Sequence, residues 1–533
     1  MAKKSKVTLH PAYAVGEISP RLFGAFIEPI GNIVNGSMYR PDHPTADERG
    51  FRHDFIDGLK EAGLPAVRFG GNFVSGWRWK DSIGPIEKRQ TILDRSRSKI
   101  IPKEIGVDEY LTWAELIGTE MMFTINLCTD GINEAIDLID YTNFEGGTQW
   151  SDERIRNGHK EPYNVKIWYL GNEMDGPWQM GSYEKDPHGY GVLARETSKM
   201  LKYTDPTVKT IACVSSSPFL SHYPEWDIEV LKVCYETVDM ISLHHYHSAP
   251  PGDIGALMAG VQAYEDYIKT EIALCDVIKT KLRTDKVMYL SFDEYGSLFR
   301  PPRDAHYGLN GNMPVEMFFS FPERPYTYQD PNVFISFGPG RFRGGEMAMA
   351  LANAATTMAL IRHADRVKIG CATGGLHMYC ATDKDHTWKA ASYYTMTSFV
   401  KYAKGLSIMP IVECDTYDVK SYAIDDMNQY RGFKGVPYIT AAAALNEKDG
   451  EFTVFVSNGD WEDEHEFTLD VRGFDGYKFV EHITMYSDDF DAANSYENPD
   501  VIKPVVAEGT ICKDGIVTAN LKKLSWNVFR FKK

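Results

Sequence analysis

Ile167-Trp168-Tyr169-Leu170-Gly171-Asn172-Glu173-Met174-Asp175-Gly176-Pro177-Trp178 is the stretch on which the architecture turns. A short run, apolar on both parities, goes straight into Asn-Glu and then into a Gly-Pro turn. Strands that are apolar on both faces belong to parallel sheets covered on both sides. Acidic residues are poor choices inside a strand. At the carboxyl end of a parallel barrel strand, however, their side chains project into the mouth where such folds carry their sites. Val287-Met288-Tyr289-Leu290-Ser291-Phe292-Asp293-Glu294-Tyr295-Gly296 repeats the pattern.

Outward from these two stretches, eight runs of this kind are strand candidates: 23–28, 66–69, 121–126, 165–170, 210–214, 240–244, 287–292 and 367–371. Helix-patterned segments lie between them, among them 54–62, 108–117, 256–280 and 346–362. Eight β–α alternations predict a (β/α)8 TIM barrel over residues 19–400, although a doubly wound sheet gives the same signal. From 401 to 533 the pattern changes to short alternating segments separated by turn residues: 438–443, 452–456, 466–469, 479–485 and 526–531. They predict an antiparallel β-sandwich, which a strand in residues 1–18, around Val7-Thr8-Leu9, is expected to join. Between 299 and 345 the chain is dense in Pro, Gly, Arg and aromatics without periodicity. A connection of that length after the seventh strand reads as a cover over the site, an oligomer contact, or a loop that only packs.

A chain of 533 residues exceeds one ordinary core, which agrees with two domains. The net charge of −17 argues against nucleic acid and anionic membranes as partners. The basic start, Met1 to His10, has no apolar run behind it and does not read as a secretion signal. The Ala- and Met-rich helix 346–361 is interrupted by polar residues and reads as buried, not membrane-spanning. The eight cysteines form no CxxC pair and sit mostly in apolar segments, as free thiols of a reducing cytoplasm do.

Two strand-end glutamates supply the machinery for cleaving a glycosidic bond. One carboxyl protonates the leaving oxygen and the other attacks the sugar or activates water, with no metal or cofactor needed. Facing carboxylates separate in acidity, so one holds a proton while the other stays ionised. His244-His245-Tyr246-His247 offers an alternative, a metal-dependent barrel hydrolase. That class carries its His-x-His on the first strand, whereas this cluster lies on the sixth.

The motifs resemble those of glycoside hydrolase family 51, the α-L-arabinofuranosidase family. Matching stretches are Phe23-Gly24-Ala25-Phe26-Ile27-Glu28, Gly70-Gly71-Asn72-Phe73-Val74-Ser75-Gly76, Asp81-Ser82-Ile83-Gly84-Pro85, Leu170 through Gln179, and Ile241-Ser242-Leu243-His244-His245-Tyr246. The resemblance implies a barrel with a jelly-roll-like sandwich, a retaining mechanism, and a homo-oligomer, often a hexamer. Position by position it makes Glu173 the acid/base and Glu294 the nucleophile. It puts Asn172 on the sugar 2-hydroxyl, and Glu28 and Asn72 on other ring hydroxyls. Arg68, His244 and Tyr246 fall around the nucleophile, and Trp178 falls among the substrate-binding residues. The expected substrate is a terminal arabinofuranose on plant-derived oligosaccharides. The sequence departs from the family at Asp293-Glu294-Tyr295-Gly296, where Trp-Asn usually follows the glutamate. It departs again at Arg68-Phe69-Gly70, which lacks a proline, and at Gly374-Gly375, where an amide is expected. A missing side chain there predicts a wider pocket, and with it a hexofuranoside or an endo-cleaved glycan as alternative substrates.

Overall fold

The structure, a computed structural model, describes residues 3–302, 327–328, 345–425 and 428–533. Eight parallel strands close into a barrel in sequence order: β1 (Gly24–Ile27), β2 (Ala66–Phe69), β3 (Glu120–Thr124), β4 (Ile167–Leu170), β5 (Lys209–Cys213), β6 (Met240–Ala249), β7 (Tyr289–Phe299) and β8 (Val367–Ala372). All eight predicted runs are barrel strands, and the doubly wound alternative is ruled out by the closure. β6 and β7 run on past the barrel, paired from His244–Glu294 to Ala249–Phe299. The predicted helix 256–280 is two helices, Ile254–Met258 and Gly260–Leu282, with the His247 ring set against Gly260 at the break.

Alternation along each strand divides the barrel's side chains into two sets. Phe26, Ala66, Met122, Ile167, Tyr169, Ile211, Met240, Ile369 and Cys371 point inward and fill the lumen as one buried cluster. The other parity packs beneath the surrounding helices in the larger core. Continuing the inward parity towards the carboxyl ends gives Glu28 on β1, Arg68 on β2, and Ser242, His244 and Tyr246 on β6. The strands thus carry apolar residues low in the lumen and polar residues at its mouth.

The second region is a sandwich. Its larger sheet has seven strands, among them Ile439–Asn446, Glu451–Asn458, Ser525–Lys532 and Lys478–Tyr486. The smaller has five, and the N-terminal strand Lys3–Thr8 lies inside it. That strand runs parallel to His465–Asp470 and antiparallel to Ile411–Glu413. Ile439, Ala441, Ala443 and Leu445 face the sandwich core, while Ala442 and Ala444 face the barrel's core. The small residues on that second face let the sheet sit close to helices Glu346–Arg362 and Ala391–Tyr402, where Trp526 packs on Phe399.

The connection 299–345 falls largely outside the described residues. Its described pair, Thr327–Tyr328, adds a parallel strand beside Lys99–Ile101.

Candidate active site

Both predicted glutamates stand at the barrel mouth, each placed by a local irregularity. Beyond β4, Gly171 (φ 98) and Glu173 (φ 47) are both left-handed, which turns the chain sharply and sends the Glu173 carboxyl inward. On β7 the register slips by one residue against both neighbours, between Phe292 and Tyr295 on one side and between Ser291 and Glu294 on the other. This bulge breaks the two-residue alternation. Asp293 and Glu294, successive in sequence, therefore both reach the mouth.

Glu294 accepts from Arg68 Nη1 through Oε1 (2.7 Å) and from the Tyr246 hydroxyl through Oε2 (2.6 Å). The Tyr246 hydroxyl is also 3.0 Å from Thr373 Oγ1. Burial and the adjacent Glu294 push the Tyr246 phenol well above its ordinary range, so it stays a neutral donor. Arg68 is fully buried, lying 2.9 Å from Asp293 Oδ2 and donating to Asn172 Oδ1 (2.8 Å). Its guanidinium also stands over the Tyr169 and Phe26 rings. Asp293 is buried, which opposes its charge, yet Arg68 and His244 hold its carboxyl below the usual range. Ser242 Oγ donates to the same carboxylate (2.9 Å).

His244 joins the two acids. Nε2 is 3.2 Å from Asp293 Oδ2 and Nδ1 is 3.1 Å from Glu173 Oε1. Burial works against a charged ring, but the surrounding carboxylates of Glu294, Asp293 and Glu173 push it up to about 10. The ring is an imidazolium at neutral pH, and both nitrogens donate. Glu173 Oε2 accepts from Trp178 Nε1 (2.5 Å) and Gln179 Nε2 (3.3 Å). Asn172 also accepts from Gly71 N (3.2 Å) and donates to Asn72 Oδ1 (3.2 Å), which takes a second bond from Gln179. Glu28 accepts from Arg97 Nη2 (2.5 Å).

Donor atoms of Glu173, His244 and Glu294 all lie within 4.8 Å of one another. The same triangle is one a divalent ion can use. His245 packs between Phe219 and Tyr264, and His247 binds the Ala256 carbonyl. The three histidines of the run therefore face different surroundings and do not converge.

Three comparisons with known proteins bear on this arrangement. Models of the α-L-arabinofuranosidase 1 domain and the α-L-arabinofuranosidase C-terminal domain match residues 59–269 and 329–525. The intracellular exo-α-(1→5)-L-arabinofuranosidase of Acetivibrio thermocellus is 34% identical over 100% of both chains. The chain belongs to glycoside hydrolase family 51. An enzyme of the same printed name from Bacillus subtilis is also 34% identical, over 100% of this chain and 99% of its own. A solved family 51 α-L-arabinofuranosidase from Bifidobacterium longum superposes with a TM-score of 0.84 at 27% identity, covering 100% of each chain.

Two of the departures from the family motifs, Gly375 and Gly296, have a local structural setting of their own. Gly375 has φ 61, and a Cβ there would meet the Phe26 carbonyl oxygen at 2.8 Å, so the backbone itself requires glycine. A side chain at Gly296 would face Asn353 on the helix outside the barrel. Sequence reading assigned no role to Asp293, Gln179, Thr373 or Arg97. Thr373 lies on the inward parity of β8, which was a usable signal. Asp293 was hidden by the bulge, and Arg97 belongs to a hairpin that no pattern links to the mouth.

Proposed function

We propose that this family 51 glycoside hydrolase is an exo-acting α-L-arabinofuranosidase. It removes terminal arabinofuranose from plant-derived oligosaccharides with retention, using Glu173 as acid/base and Glu294 as nucleophile. The observation that carries the mechanism is the spacing of their oxygens, within 4.8 Å. Retaining enzymes hold their carboxyls about 5–5.5 Å apart, whereas inverting ones leave room for a water between them. The sugar assignment is supported by the printed activities of the full-length relatives.

In the first step Glu294 attacks C1 while the bond from C1 to the leaving oxygen breaks, and Glu173 gives that oxygen its proton. Arg68 and Tyr246, one on each Glu294 oxygen, fix the attacking carboxylate before substrate arrives. The product is a glycosyl ester on Glu294. A water then gives a proton to the Glu173 carboxylate and attacks C1, the ester bond breaks, and Glu294 is restored. His244, Trp178 and Gln179 fix the Glu173 carboxyl throughout.

The catalytic unit is assigned to 19–400, with 1–18 and 401–533 forming the sandwich. A cytoplasmic setting is supported by relatives named as intracellular and by eight free cysteines. Among the described residues, no helix is long and apolar enough to cross a membrane. A homo-oligomer, a hexamer by family resemblance, is to be checked by light scattering. The functional test is a panel of aryl furanosides and pyranosides. Turnover of the α-L-arabinofuranoside is expected, and a Glu173→Ala variant should regain turnover with azide. Activity on a pyranoside alone overturns the sugar assignment, and a Glu173→Ala variant indifferent to azide overturns the acid/base.

A further inference from the structure

Glu28 ends β1 at the mouth and is 5% exposed. Its Oε1 is taken by Arg97, but its Oε2 is buried and, among the described residues, has no hydrogen-bond partner. A buried carboxylate oxygen is costly to leave without a donor, so this one marks where an incoming hydroxyl fits. On its other side, a Cβ at Gly71 (φ 82) would lie 1.8 Å from Oε2, and only glycine lets the backbone pass so close.

Arg97 comes from outside the barrel strands. It sits in the turn of an antiparallel hairpin, Ile92–Asp94 with Lys99–Ile101, and that turn is shaped to aim it. Asp94 Oδ1 accepts from Ser96 N (3.0 Å) and Ser96 Oγ (2.6 Å), while Oδ2 accepts from Arg97 Nη1 (3.2 Å). The Asp94 side chain is almost fully buried. The guanidinium therefore reaches Glu28 already held at its base, and bonds it at 2.5 Å.

The geometry points to Arg97 as a positioning residue for sugar recognition: it fixes the Glu28 carboxylate so that Oε2 accepts from a hydroxyl of the bound furanose. This rests on the reading of the site as a furanosidase pocket. The charged or titratable groups facing Glu28 are Arg97 and Asp94 on the hairpin, Glu294 on β7, Glu173 after β4, and the Tyr110 phenol on helix Val107–Ile117. Burial pushes Glu28 up to about 7, Arg97 pulls it down, and the nearby carboxylates add to the rise. Without Arg97, Glu28 takes a proton at higher pH and can offer the sugar a donor where an acceptor is needed.

The test is kcat/KM against pH for the unaltered enzyme, R97Q, R97K, E28Q and the double variant R97Q/E28Q, on an aryl α-L-arabinofuranoside. R97Q should raise KM about tenfold with kcat changed by less than about threefold. Its ascending pH limb should move to higher pH, because the ionised form of Glu28 is the one that binds. R97K should restore most of both, and R97Q/E28Q should be no worse than E28Q alone. An R97Q variant with unchanged KM and pH limb overturns the proposal. So do losses that multiply in the double variant, since those assign Arg97 only to hairpin stability. If R97Q does not fold, R97K with a normal KM and an unshifted limb gives the same contrary result. Failure of the furanosidase reading appears separately, as no turnover of arabinofuranoside by the unaltered enzyme.

Discussion

Glu294 has a protein donor on each oxygen, Arg68 and Tyr246, whereas Glu28 has Arg97 on one oxygen and, among the described residues, no donor on the other. Around Glu294 the partners come from barrel strands, and the surrounding charges form a continuous network through Asp293 and His244 to Glu173. Around Glu28 the cation comes from a hairpin laid against the barrel. The difference separates two tasks. Charge that must be stabilised at the reacting carbon is answered by groups fixed in advance. A hydroxyl that must be recognised is answered by a group left incomplete until substrate binds.

The comparison breaks first at Arg68. An Arg68→Met variant takes one of two cations, the other being His244, from a pair of buried carboxylates, which should lower unfolding stability by about 3 kcal/mol. Denaturant melts measure this, and a loss below about 1 kcal/mol would show that the network is not held by charge pairing. A smaller effect is expected at Tyr246. Removing one hydroxyl in Tyr246→Phe should cost about 1–3 kcal/mol of transition-state stabilisation, roughly ten- to hundredfold in kcat. Fold stability and KM should change little. A rise in KM alone would move Tyr246 from the Glu294 side of the comparison to the Glu28 side.

The smallest effect is the pH dependence of stability carried by His244. Its folded value of about 10 lies above the ordinary value of 6.5, so the ring holds its second proton more tightly when folded. The stability it contributes is complete below pH 6.5 and is lost as pH rises through about 10. Melts of the unaltered protein should therefore lose stability across that interval, and His244→Gln should flatten the decline. An unchanged slope in the variant would assign the decline to other groups.

The eight parallel strands were legible in the sequence because they are apolar on both parities, while their closure into a barrel rested on the family resemblance until the structure showed it. Glu173 and Glu294 were legible as a pair: one strand-end carboxylate is commonly a salt-bridge partner, but two, on the fourth and seventh strands, supply an acid and a nucleophile. Glu28, Arg68, His244 and Tyr246 were reached through the family resemblance, and the strand parity seen in the structure shows why they stand at the mouth. The bulge on β7 was not legible, since an extra residue in a strand leaves no mark in an apolar-polar pattern, and Asp293 was missed with it. Arg97 was missed for a different reason, because nothing in the pattern of residues 92–101 ties that stretch to the barrel mouth. Gly375 shows the opposite error: an absent side chain looked like added space, yet the Phe26 carbonyl already fills the position.

The central claim is the division of roles between Glu173 and Glu294, and one measurement reaches it directly. The enzyme is treated with a 2-deoxy-2-fluoro-arabinofuranoside bearing a good leaving group, which slows release of the glycosyl ester, and its peptides are then sequenced by mass spectrometry. The account predicts a single sugar adduct on Glu294. An adduct on Glu173, or on any other residue, would contradict it.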